Sequence, residues 1–275
     1  MKIYDIIYVI VVAIIEGITE WLPISSTAHL IIFSKIFSFL MSNEIFTKNF
    51  IEMFDVVIQL GAIVAVIIIF FSELNPFKKE AKEKIILWFK IIIATIPVVV
   101  FTLIFKEYIN GIYDLKIISF TLIFYGIMFI IVEKINKNRV KITNINQINY
   151  LKVLLIGIVQ ILAIIPGTSR SGITIICGML LGFDRKIAAK FSFFLSIPVM
   201  LGASSLKIFE YVTNDFFTNN QIVLLTLGLI MTLIISLFVV RFLIDYTSKH
   251  SLKCFAWYRI ILGIVIIFGI LLKIF

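Results

Sequence analysis

The chain has 275 residues, of which 61% are hydrophobic and only 15% charged, with a mean hydropathy of +1.12. A soluble domain, whose surface must face water, does not have this composition, so the chain reads as a polytopic membrane protein. The formal net charge of +9 does not point to nucleic acid, because the lysines and arginines lie in short inter-helix loops and form no stripe interleaved with aromatics.

The apolar N-terminus resembles the core of a signal peptide, but no small-residue cleavage site follows and Glu16 interrupts the pattern, so it is expected to be retained. Residues 1–41 read as two short apolar helices broken at Pro23. Stretches long enough to cross a bilayer, roughly 20 residues each, follow near 54–72, 85–105 and 116–133. After a linker at 134–149, rich in Asn and Lys, residues 150–182 repeat the broken pattern at Pro166-Gly167, and three more spans lie near 190–210, 222–241 and 256–275. Cys177 and Cys254 have neither disulfide nor metal spacing and read as packing residues.

Loop charge sets the topology. The loops at 73–84 (Lys78, Lys79, Lys82, Lys84), 134–149 (Lys134, Lys137, Arg139, Lys141), 183–190 (Arg185, Lys186, Lys190) and 241–255 (Arg241, Lys249, Lys253) are basic, whereas 42–53, 106–115 and 211–221 are poor in bases. The first set is expected on the cytoplasmic side. That assignment closes only if 1–41 enters and leaves on the outer side and 150–182 on the inner side, which makes both segments re-entrant. The expected fold is therefore all-α, a single membrane domain over 1–275 with six transmembrane helices plus two re-entrant helix pairs. Residues 1–133 and 150–275 form the two units of an inverted-topology repeat. The competing reading makes 4–20 and 24–41 full spans, giving eight or more crossings.

Nearly all of the intramembrane polar chemistry is expected at the two breaks, where such residues are costly and so read as functional. Glu16 and Glu20 are four apart and share a helix face. Two like charges there call for a cation between them, and magnesium or calcium, both oxygen-seeking, fits; a proton relay or a helix-packing pair is the alternative. Ser25 can cap the half-helix after Pro23 and turn its N-terminus toward an anion. Ser26 and His29, three apart, are neighbours on one face, the minimum equipment for base-activated attack or proton donation. In the second break Gly167, Thr168, Ser169, Arg170, Ser171 and Gly172 form a glycine- and hydroxyl-rich turn opening a helix, a phosphate cradle whose arginine can make bidentate contacts. Thr174 lies four residues after Arg170, on its face. Close helix packing, with Arg170 paired to Glu16 or Glu20, is the structural alternative. Gln59-Leu-Gly61-Ala and Ser192-Phe-Phe-Leu-Ser196-Ile-Pro198 can line the cavity from flanking spans, or serve as the small and hydroxyl residues ordinary at helix contacts.

The segments E-G-I-T-E-W-L-P-I-S-S-T-A-H-L from Glu16 and P-G-T-S-R-S-G-I-T from Pro166 resemble the two signature segments of undecaprenyl-diphosphate phosphatases of the bacitracin-resistance type, and the likeness extends over the whole chain. The resemblance implies removal of the terminal phosphate of the lipid carrier used in cell-wall synthesis. It implies Glu16 and Glu20 as the acidic motif, Ser26 and His29 as the hydroxyl–imidazole pair, and Ser169, Arg170 and Thr174 as the phosphate side; Ala28 stands where glycine is frequent. It also implies an inverted repeat in the bacterial plasma membrane with a site reached from the outer face. The acid-phosphatase-like lipid phosphatases are not matched, since no second catalytic histidine is available.

On this reading Glu16, Glu20, Ser26, His29 and Arg170 are catalytic, with Glu16 and Glu20 also holding the divalent cation. Ser25, Thr27, Gly167, Thr168, Ser169, Ser171 and Thr174 bind substrate. Whether Ser26 attacks or an activated water does stays open. The expected partners are a polyprenyl diphosphate lipid and the surrounding membrane lipids, with no nucleic acid; homodimerisation stays open. The rival is a secondary transporter or flippase for an anion or lipid phosphate, because inverted repeats around broken helices also build carriers. Transport gives no reason for a nucleophile–base pair.

Overall fold

The computed structural model describes residues 2–37, 44–77, 80–109, 114–136 and 140–273, without the side chains of 106–109. Lys78, Lys79, Lys137, Arg139 and the last two residues of the expected sixth span lie outside the described residues.

The chain folds as helices: α1 Ile3–Thr19, α2 Ser26–Phe37, α3 Lys48–Val57, α4 Gln59–Ile69, α5 Phe71–Leu74, α6 Ala81–Ile109, α7 Leu115–Asn136, α8 Tyr150–Gln160, α9 Arg170–Leu180, α10 Arg185–Asn214, α11 Asn219–Lys249 and α12 Lys253–Leu271. Among the described residues six helical stretches are long and apolar enough to cross a membrane: Lys48–Ile69, Ala81–Phe105, Leu115–Asn136, Arg185–Asn214, Asn219–Lys249 and Lys253–Leu271. They are the six expected spans. Each reaches a few residues beyond its apolar run at one end or both, because polar residues cap the ends. Thr47 accepts from Phe50 N–H before α3, Asp184 from Ile187 N–H before α10, and Thr218 with Gln221 closes a reciprocal box at α11.

Helix α10 is the centre, with 67% of its apolar window buried against 22% for α11. It packs on α3, α4, α6, α9 and α11. Around it the pairings exchange the halves of the chain: α1 lies along α11, and α8 lies along α6, while α7 pairs with α12.

The loops sort to two ends. At one end Glu133 receives a bidentate contact from Arg185 (2.9 and 2.7 Å) and the N–H of Leu252 (2.7 Å). Lys190 pairs with Glu73 (2.6 Å) and Lys90 donates to the Asn146 carbonyl (3.2 Å), so all four basic loops meet there. At the other end Gln221 donates to the Ile45 carbonyl (2.8 Å) and Asn49 to Asp215 (2.6 Å), joining two of the base-poor loops. The two short helix pairs attach at opposite ends. Tyr8, early in α1, meets Ser34, late in α2, at 3.1 Å and packs edge-on against Phe46 beside the base-poor loops. Lys152, early in α8, donates to the carbonyl of Leu181, just past α9, at 2.8 Å.

Candidate functional site

Each helix pair is interrupted by a turn that ends on a serine in the left-handed region. Ser25 has φ +75° and Ser169 φ +70°, a conformation costing a non-glycine residue about 1–3 kcal/mol. Both serines then cap the helix that follows. Ser25 Oγ accepts from Ala28 N–H at 3.3 Å at the start of α2, and Ser169 Oγ accepts from Gly172 N–H at 3.1 Å at the start of α9. The same device at both breaks turns two helix N-termini, with their positive dipole ends, into the protein interior. Gly167, at φ +85°, is needed because a Cβ there would strike Thr121 Oγ1 and the Ile118 carbonyl; Thr121 in turn donates to the Pro166 carbonyl at 2.7 Å.

Arg259, in the first half of α12, holds the two breaks against each other. It is fully buried. Its guanidinium donates to the Pro23 carbonyl (3.0 Å) in the first break and to the Gly167 and Thr168 carbonyls (2.9 and 3.0 Å) in the second, with its charge 5.8 Å from the centre of the Tyr125 ring. Concentrating nearly all intramembrane chemistry in the two breaks therefore needs correction: the apolar run of α12 hides an arginine that organises both. An ionisable residue inside a 19-residue span was the available signal.

The breaks meet directly at an ion pair. Arg170 Nη2 donates to Glu20 Oε1 at 3.0 Å, with both side chains almost withdrawn from the surface. Arg170 Nη1 is fixed by the Ser192 carbonyl at 2.7 Å, and the second oxygen of Glu20 accepts from Ser26 Oγ at 2.7 Å. Glu20 thus joins the arginine of one half to the hydroxyl of its own half. Of the two glutamates offered to Arg170 as partners, Glu20 is the one it meets.

This group lines a cavity of about 240 Å³. From the candidate residues the cavity receives Glu20, Ser25, Ser26, Thr27, Gly167, Ser169 and Arg170, together with Gln59 and Gln160. An apolar side is built by Val98 and Thr102 of α6 and by Val199, Met200 and Ala203 of α10.

The other candidates stand behind this lining. Ser171 donates toward the carbonyls of Glu20 and Leu22 (3.1 and 3.3 Å) and so pins the first break to α9. Thr174 is spent on the Arg170 carbonyl (2.8 Å) and Ser192 Oγ (2.7 Å), which steadies the arginine from below. Thr168 is fully buried in the second turn. Glu16 is fully buried one helical turn before Glu20, and its carboxylate faces the Gln59 side chain without a hydrogen bond of good geometry.

His29 is placed differently from the expected pair. Its Nδ1 donates to the Ser25 carbonyl at 2.7 Å, and in the neutral ring Nε2 accepts from the Tyr258 hydroxyl at 2.7 Å, with the two rings stacked. The i,i+3 spacing puts Ser26 and His29 on one face, yet the hydroxyl partner of Ser26 is Glu20. Tyr258, adjacent to Arg259, had no signature in the sequence beyond its place in an apolar span.

The family model described as Bacitracin resistance protein BacA matches residues 9–265. Among curated proteins, the Undecaprenyl-diphosphatase of Enterococcus faecalis is 47% identical over 266 residues, covering 94% of this chain and 95% of its own. The Undecaprenyl-diphosphatase of Lachnoclostridium phytofermentans is 46% identical over 272 residues, covering 97% of each. That of Streptococcus mutans is 43% identical over 282 aligned positions, covering 100% of this chain and 99% of its own.

Proposed function

The chain belongs to the bacitracin resistance protein BacA family, and from that premise and the geometry of its cavity we propose how it works. It is a membrane enzyme, an undecaprenyl-diphosphatase that hydrolyses undecaprenyl diphosphate to undecaprenyl phosphate and inorganic phosphate. The reaction returns the carrier lipid to cell-wall synthesis in the bacterial plasma membrane.

The observation that carries the mechanism is the contact of Ser26 Oγ with Glu20 at 2.7 Å inside a cavity that also receives Arg170. Ser26 Oγ attacks the terminal phosphorus while its proton passes to Glu20. The bond from that phosphorus to the bridging oxygen breaks, and undecaprenyl phosphate leaves with the bridging oxygen and the proton. Water then attacks the phosphoserine, its oxygen joining phosphorus as Ser26 Oγ departs and recovers a proton through Glu20. Arg170 and the N-termini of α2 and α9 neutralise the non-bridging oxygens, where a protein contributes most to phosphoryl transfer. Ser25, Thr27, Gly167 and Ser169 line the phosphate end. Thr168, Ser171 and Thr174 hold that lining in place, and His29 braces the strained Ser25 against Tyr258.

A divalent cation, magnesium or calcium, fits the acidic pair. Glu16 buries two oxygens that no well-formed hydrogen bond satisfies, with only the Gln59 amide facing them, a state that calls for a cation or a proton. No cluster of three or more His, Cys, Asp or Glu surrounds them among the described residues. Glu16 would therefore be the main holder of the ion, with Glu20, whose oxygens meet Arg170 and Ser26, beside it. When bound, the ion supplies Lewis-acid stabilisation of the diphosphate charge.

The inverted repeat with re-entrant pairs is supported by the exchanged packing of α1 on α11 and α8 on α6, and by the attachment of the two pairs at opposite ends. Access from the outer face is supported by the apolar wall. Val98 and Thr102 lie in the half of α6, and Met200 and Ala203 in the half of α10, that run toward the base-poor end, which is the outer one by loop charge.

Phosphate release from undecaprenyl diphosphate by detergent-purified protein tests this reading. Release that EDTA suppresses and Ser26→Ala reduces by about 10²-fold or more is expected. Absence of release from well-folded protein, with lipid-phosphate transport in vesicles, would sink it in favour of a carrier.

A further inference from the structure

Gln160 closes α8 with its side chain fully buried, and neither Nε2 nor Oε1 has a hydrogen-bond partner in the protein. It nevertheless lines the cavity, in company with Ser169 and Arg170. A buried amide that satisfies neither of its polar atoms is destabilising, and packing alone gives no reason to keep it where an apolar side chain of equal length would serve. The position has a counterpart. Gln160 lies nine residues before the strained Ser169, as Glu16 lies nine residues before the strained Ser25, and both are fully buried with unpaired oxygens. One half of the molecule thus carries an unsatisfied acid at this position and the other an unsatisfied amide.

We propose that Gln160 is a substrate-binding residue of the phosphate site. Its Nε2 donates to a non-bridging oxygen of the terminal phosphoryl group, and its Oε1 accepts from a protonated oxygen facing it, a P–OH or the incoming water. The chemistry of the neighbours favours this assignment: Arg170 can only donate and an ionised Glu20 can only accept. A carboxamide does both from atoms of fixed separation and adds no charge to a site already balanced by the Glu20–Arg170 pair. The proposal rests on the phosphatase reading and adds to it a contact that no charge or motif in the sequence marks.

The test is Gln160→Met, which keeps the length of the side chain and removes both polar atoms, in detergent-purified full-length protein. Two measurements are made, each against wild type: turnover of undecaprenyl diphosphate, and the rise in Tm caused by methylenediphosphonate, a diphosphate analogue that is not hydrolysed. The expected result is a fall in kcat/KM of about 30-fold or more, a weakening of methylenediphosphonate binding by about tenfold, and a ligand-free Tm equal to or above that of wild type. Retention of turnover and analogue binding within about threefold of wild type (within ~0.7 kcal/mol) would overturn it. So would a loss of both accompanied by a lower ligand-free Tm, since that marks a structural amide. If wild type binds the analogue but releases no phosphate from the lipid, the phosphatase reading fails while analogue binding by Gln160→Met still decides the contact.

Discussion

Ser26 gives its hydroxyl hydrogen to Glu20 at 2.7 Å, across the break between α1 and α2 rather than along its own helix to His29. On the proposed mechanism Glu20 then sets the reactivity of Ser26, and the histidine has a supporting part. Ser26→Ala should therefore lose about 10²-fold or more in kcat, whereas His29→Ala should lose less, because it removes a brace on the Ser25 carbonyl and not the proton acceptor. Steady-state phosphate release by the two variants checks the order; a larger loss in His29→Ala would return the base to the imidazole.

The strained serine caps make a prediction about stability that separates backbone from side chain. Ser169→Ala keeps a Cβ in the left-handed region and loses the bond to Gly172 N–H, so it should cost about 1 kcal/mol. Ser169→Gly loses the same bond but relieves the strain, and glycine is a tolerable cap, so its Tm should match or exceed that of wild type. Thermal unfolding in detergent gives the ranking. An alanine variant as stable as the glycine variant would show that the positive φ carries no strain.

Arg259 is expected to matter without touching substrate. Arg259→Met leaves the carbonyls of Pro23, Gly167 and Thr168 without their donor, and unmet buried carbonyls cost roughly 1–3 kcal/mol each. The variant should show a lower Tm and a turnover loss that grows on mild heating, because the two breaks separate. Arg259→Lys should recover only part of both, since an ammonium cannot reach carbonyls on two sides with the fork of a guanidinium. Full recovery by lysine would argue that charge alone is needed.

Glu16 offers a test of the cation. With both oxygens buried and lacking a well-formed hydrogen bond, Glu16→Gln removes a carboxyl that metal-free protein must keep protonated or hold as an unfavourable buried charge, so its Tm in EDTA should rise above that of wild type. The stabilisation that wild type gains from magnesium or calcium should at the same time shrink. A Tm gain on metal addition that is unchanged in Glu16→Gln would place the cation elsewhere.

Much of this molecule was legible in its residues, for identifiable reasons. The six spans follow from apolar length, and the two breaks from proline and hydroxyl residues that cannot face lipid. Glu20, Ser26 and Arg170 stood out because charge and nucleophile are rare at such depth. Partner choice was not legible. Helical spacing places Ser26 beside His29, but only the turn at Ser25 decides that the imidazole folds back on that carbonyl and leaves the hydroxyl to Glu20. Arg259 and Gln160 escaped notice because no motif surrounds either, and their weight comes from contacts with segments some 90 to 240 positions distant in the chain, or from lacking a hydrogen-bond partner. Likewise Ser171 and Thr174 carry the residue types of a phosphate cradle, yet they spend their hydroxyls on the protein's own carbonyls and on Ser192.

The central claim is that the two breaks form one site, joined where Arg170 meets Glu20 at 3.0 Å. A double-mutant cycle on kcat/KM for undecaprenyl diphosphate, using Glu20→Gln, Arg170→Gln and the double variant, tests it most directly. If the two residues act as a unit, each single change should remove most of the activity and the double variant should be about as impaired as the worse single one, a coupling of roughly 2 kcal/mol or more. Losses that simply add would mean that the two halves contribute independently, and would contradict the account.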